Sequence, residues 1–137
     1  MKTKLLIALT LICFTIAAQA KKYPEIKFES TTIDMGTFSM DDPVQKVKFK
    51  FTNTGKAKLI INMVHASCGC TVADFPKDPI APGATGYITV TYNGTGKMPG
   101  KFKKNVQVFS NCKTEMTRIF IQGDMTDVPV SKKGVKN

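Results

Sequence analysis

From Val44 to Phe51 the chain alternates: Val47, Phe49 and Phe51 fall on one side, and Lys46, Lys48 and Lys50 on the other. A period of two is that of a β-strand with one buried and one wet face. The same eight residues wound into a helix would scatter apolar and charged groups around the whole circumference. The alternation returns between Gly86 and Tyr92, where Ile88, Val90 and Tyr92 oppose Tyr87, Thr89 and Thr91. Two such strands need other strands to bury against.

Further strand-like segments follow at short intervals. Pro24 to Glu29 starts the first, and Thr31 to Phe38 continues it along the same sheet edge after a break near Ser30. Lys58 to Val64 is another, and Thr71 to Phe75 a short one. Phe102 to Phe109 carries Phe102, Val106 and Val108 inward, and Met116 to Ile121 closes the set. Between them stand turn signals: Asn53-Thr-Gly55, the proline-rich stretch from Pro76 to Gly83, the loop Gly94 to Gly100, and Ser110 to Thr114. No segment has helical periodicity. About seven short strands divided by Gly, Pro and Asn imply an all-β fold, an immunoglobulin-like antiparallel sandwich with Greek-key connections.

The ends bound the location. Lys2 and Lys4 precede an apolar run from Leu5 to Ala18, and Ala18-Gln19-Ala20 has the small-x-small pattern of a cleavage site. Residues 1–20 therefore read as a signal peptide cleaved after Ala20, Cys13 leaving with it. The mature chain is expected in the periplasm or secreted, with no transmembrane segment. Residues 21–130 are of single-domain length, and the basic, polar residues 131–137 are expected to be a disordered tail. The whole chain has a net charge of +10, which favours contact with anionic surfaces.

Three segments carry a family resemblance: Phe51-Thr-Asn-Thr-Gly55, Ser67-Cys-Gly-Cys-Thr71, and Ile80-Ala-Pro-Gly83 leading into Gly86-Tyr-Ile-Thr-Val-Thr-Tyr92. In order and spacing they resemble the bacterial DUF1573 family, common in Bacteroidetes, from about Ile26 to Gly123. The resemblance implies an immunoglobulin-like domain similar to major sperm protein and Hydin-type modules, which are non-enzymatic and work by contact between chains. Cys112 departs from the family's pattern.

Candidate chemistry is sparse. His65 is the only histidine, and no Ser-His-acid arrangement accompanies it. Gly94-Thr-Gly96 has no following helix to make a phosphate cradle, and Asp41-Asp42 before Pro43 reads as a turn. Cys68-Gly69-Cys70 has three readings: a local disulfide or quiet thiol pair, a thiol–disulfide exchange site with Lys77 or Lys97 nearby, or a soft-metal site of His65, Cys68 and Cys70 with Met63 or Met98. Copper(I) or zinc would suit those donors. Cys112 is a free-thiol candidate on a connection at the opposite end of the sandwich, available for an intermolecular link. Lys101-Phe-Lys-Lys104 is the densest basic run, but it lacks the aromatic array of a single-stranded nucleic-acid site. The alternating lysines read as solvated faces that guard sheet edges, and Asn93-Gly-Thr95 as a sequon without use in bacteria.

The function expected from these residues is a non-enzymatic binding or scaffolding module of the bacterial cell envelope. It would act on a protein partner without a cofactor and without nucleic acid. The alternative is a small thiol–disulfide or metal-handling protein. The oligomeric state is left open. N-terminal sequencing of the exported protein should begin at Lys21; material beginning at Met1 would contradict both the processing and the location.

Overall fold

A computed structural model describes residues 21–127. The expected signal peptide, residues 1–20, and the basic tail, residues 131–137, lie outside the described residues. The described residues form eight strands: β1 (Ile26–Phe28), β2 (Thr32–Ser39), β3 (Val44–Asn53), β4 (Ile61–Ala66), β5 (Thr71–Asp74), β6 (Thr85–Asn93), β7 (Gly100–Ser110) and β8 (Met116–Thr126). They form two four-stranded sheets, ordered β1-β3-β6-β5 and β2-β8-β7-β4.

The alternating segments sit where their patterns place them. Lys48 pairs with Thr89 and Phe49 with Ile88 across β3 and β6, two neighbouring central strands. Phe49, Phe51, Ile88, Val90 and Tyr92 point inward and meet Val106, Val108, Ile119, Ile121 and Met125 of the other sheet, all buried. Tyr92 stacks on Phe102 with ring centroids 4.0 Å apart, and Phe38 meets both rings edge-on.

Three details differ from the sequence expectation. The break near Ser30 is a change of sheet: β1 and β2 do not continue along one edge but lie at the edges of different sheets. That makes eight strands of an expected seven. The pairing of β2 with β8 is parallel, because the chain crosses between layers at Ser30 without reversing direction. Finally, β8 runs on to Thr126, where Gly123 and Met125 remain buried between outward polar residues.

One end of the sandwich is organised around a buried amide. Asn53 is fully buried. Its Oδ1 accepts from the N–H of Gly55 at 3.0 Å and of Glu25 at 3.3 Å. Its Nδ2 donates to the carbonyls of Ala57 at 2.8 Å and Ile80 at 2.9 Å. The backbone of Asn53 adds bonds to Ala84 and Gly83. Gly55 passes so close to the backbone of Tyr23–Glu25 that a Cβ would lie 2.4 Å from the Tyr23 carbonyl oxygen. Ala81-Pro-Gly-Ala84 closes with an N–H to carbonyl bond of 3.0 Å, and Gly83 has φ of 79°. Proline second and a positive-φ glycine third are what a type II turn requires.

Removing the Asn53 side chain takes away the partner of the Gly55 and Glu25 N–H groups and of the Ala57 carbonyl, and a buried group left unsatisfied costs about 1–3 kcal/mol. Removing the Phe49 ring leaves a core cavity worth about 3–5 kcal/mol. Urea denaturation should therefore show Asn53→Ala and Phe49→Ala strongly destabilised and Lys48→Ala close to the parent. An Asn53→Ala variant as stable as Lys48→Ala would contradict the role given to the amide.

Candidate functional site

The Cys-Gly-Cys segment lies where the chain leaves β4, an edge of one sheet, and enters β5, the facing edge of the other. Cys68 and Cys70 are joined to each other by a disulfide. The Thr71 N–H bonds back to the Cys68 carbonyl at 3.2 Å, and the Asn93 N–H bonds to the Cys70 carbonyl at 2.8 Å. Buried Thr71 sets its hydroxyl 3.8 Å from each sulfur. The Ser67 N–H bonds to the Asn105 carbonyl of β7 at 3.2 Å, so the corner is held to both sheets.

The other candidates are dispersed. His65 points outward from β4, exposed, opposite Gln107. With the two sulfurs bonded to each other, no thiolate stands beside it, and no group of three His, Cys, Asp or Glu suited to a metal occurs among the described residues. Met98 is 86% exposed on the β6–β7 loop. Lys77 lies over the ring of Phe75. Cys112 has a free thiol in the β7–β8 connection, at the Asn53 end, where neighbouring Asn111 bonds to the backbone of Lys58 and Ile60. It is only 7% exposed, which corrects the expectation of an available intermolecular thiol: the side chain belongs to the buried core cluster. β3 and β7 are central strands, so the lysines on them belong to outer sheet faces and not to sheet edges.

An open cavity of about 650 Å³ crosses the outer face at the β2 bulge, between Asp34, Lys101, Lys103, Gln122 and Asp124. Asp34 is already engaged there: it accepts from the Gly36 N–H at 2.7 Å and the Gln122 amide at 3.2 Å. These bonds, the backbone one foremost, hold its carboxyl below the ordinary carboxylate pKa. The groove is a braced bulge with mixed charges and no single ligand preference.

A different feature emerges on the outer face beside β4. Met63, Phe109 and Met116 are cross-strand neighbours on β4, β7 and β8. Met63 is 50% exposed and the other two are half-buried. Ile60, exposed, lies just before β4. This apolar row ends at the sheet edge. Its three members lie on separate strands, and only the pairing register brings them together.

A family model described as "Protein of unknown function (DUF1573)" matches residues 26–125. No curated protein sequence matches the chain. Among solved structures, a protein of unknown function from Porphyromonas gingivalis W83 is 17% identical, over 80% of this chain and 51% of that one, with a TM-score of 0.61. This chain thus spans about half the length of that protein. The human CEP192 PapD-like domain 7 is 9% identical over 85% and 96% of the two chains, with a TM-score of 0.58. The periplasmic chaperone SfaE is 10% identical over 74% and 57%, with a TM-score of 0.50. Such likeness concerns the fold alone: the sandwich is immunoglobulin-like, of the PapD-like kind.

A disulfide between residues two apart closes a very short loop, so its removal should cost only about 1–2 kcal/mol. Urea denaturation of the Cys68→Ser, Cys70→Ser double variant should show a loss of that size with the fold intact. Outright unfolding would make the bond a main support of the domain.

Proposed function

The chain belongs to the DUF1573 family of proteins of unknown function, and we propose that it is a non-enzymatic binding module of the bacterial cell envelope that captures a protein partner on the β4 side of its outer face. The observation that carries this reading is the row Met63, Phe109 and Met116, an apolar strip on a face whose other large apolar residue on β8, Phe120, lies under the Lys103 ammonium. Protein contact surfaces have apolar centres rich in Met and aromatic residues, with polar rims. Arg118, Gln107 and His65 form the next row along the strands and supply such a rim. The signal-like N-terminus and the fold shared with a periplasmic chaperone support the envelope location. The family motifs favour a scaffold over a reaction centre: Asn53, Gly55 and Gly83 are used up in holding loops.

The test is site-specific photo-crosslinking in the native envelope, with a photoreactive residue at Met63 and, as control, at Lys48 on the opposite outer face. The Met63 position should yield one dominant crosslinked protein that Lys48 does not, and Phe109→Glu should abolish it with the fold retained. Equal crosslinking from both positions, or a product indifferent to Phe109→Glu, would contradict the proposal.

A further inference from the structure

Four strands have no paired neighbour on one side, β1 and β5 in one sheet and β2 and β4 in the other, and three of these edges are obstructed. β1 is three residues long. On β2 the Phe120 N–H bonds to the Thr31 carbonyl, so alternation turns Thr32 to the free side. There the Ser30 hydroxyl donates to the Thr32 carbonyl at 2.6 Å and accepts its N–H at 3.4 Å. The bulge between Asp34 and Thr37 interrupts the rest. β5 has four residues and includes Asp74, and the Thr71 N–H is taken by Cys68. These are the devices by which sheets avoid adding foreign strands.

β4 is interrupted only at its start, where the register shifts between Ile61 and Met63; from Met63 onward it carries none of them. Its six residues, Ile61–Ala66, include no Lys, Asp, Glu, Pro or Gly. The Ser67 N–H bonds to the Asn105 carbonyl of β7 at 3.2 Å. Backbone groups two residues apart point the same way in a strand, so His65 and Met63 also face β7. The N–H and C=O groups of Val64 and Ala66 therefore face away, along the free edge. Beneath that edge the core is thinly covered: Val64 and Ala66 on β4, and Ala73 and Phe75 across the gap, are only partly buried against it.

We infer that β4 accepts an extended segment of an acidic partner protein as an added strand, the segment's inward side chains being apolar and its outward ones acidic or hydroxyl-bearing. This inference rests on the proposed protein-binding role and specifies its mode. The four free backbone groups of Val64 and Ala66 supply the hydrogen bonds that strand addition uses. Inward side chains of the added strand cover Val64, Ala66 and Ala73. Outward ones lie beside Met63 and His65, in the row that Arg118 continues. The net charge, +10 for the whole chain and +8 without Lys2 and Lys4 of the expected signal peptide, selects against a basic segment and against a second copy of this chain.

A displayed library of random twelve-residue peptides, panned against the mature protein, tests this. Enriched peptides should alternate apolar with acidic or hydroxyl residues and slow amide exchange at Val64 and Ala66. Ala66→Pro should weaken them at least tenfold, and Thr32→Pro, on the obstructed edge, should leave them unchanged. The exchange readout serves even where a proline variant fails to fold. Peptides without the alternation, binding that leaves the Val64 and Ala66 amides unprotected, or a library that enriches nothing would overturn strand addition. A partner still crosslinked at Met63 in any of those cases would leave the contact surface standing and remove only this mode.

Discussion

The side-chain amide of Asn53 is the interaction on which the layout of this domain depends. A buried amide without partners costs several kcal/mol in an apolar surrounding. This one is satisfied on both sides, by two N–H donors and two carbonyl acceptors. The four partners come from the N-terminal segment, the β3–β4 connection and the approach to β6. Bringing them together sets the Leu59–Ile80 bridge, which aims the chain into β4. Leu59 is fully buried there, so β4 is anchored at its start and held by β7 along one side, leaving the other side bare.

How much of this could be read from the sequence follows from which interactions are local. The strands β3 and β6 were legible because alternation is a property of each segment alone, and Phe49 and Val90 are buried as their parity requires. The change of sheet at Ser30 was not legible. A single polar residue between two β-like runs looks the same whether the strand bends or crosses the gap, and the choice is made by β3 and β8, far along the chain. The parallel β2–β8 pair was hidden for the same reason. The end of β8 was missed because Gly123 reads as a strand breaker, whereas the structure places it against the Phe102 ring, where a Cβ would come within 2.9 Å.

The candidate site divides along the same line. A cysteine pair two residues apart announces itself, and the resemblance drew attention to it, but its setting in the crossover from β4 to β5 needs the strand order. The lysines of β3 read as a solvated face, but whether that face belongs to a central or an edge strand is not in the pattern, because both share one alternation. The surface on which the proposed function rests, Met63 beside Phe109 beside Met116, exists through register alone. Each residue is unremarkable in its own segment. What the motifs mark is therefore the scaffold, and what the register assembles is the contact surface.

Native-state amide exchange of the free protein, read residue by residue, tests the bare β4 edge most directly. Met63 and His65, bonded to β7, should exchange slowly with the sheet, while Val64 and Ala66 between them should exchange at close to the rate of exposed loop amides. Thr32, on the obstructed edge, should lie between these limits. Val64 and Ala66 protected as fully as His65 would mean that the edge is already occupied, and the account of β4 as the open binding edge would fail.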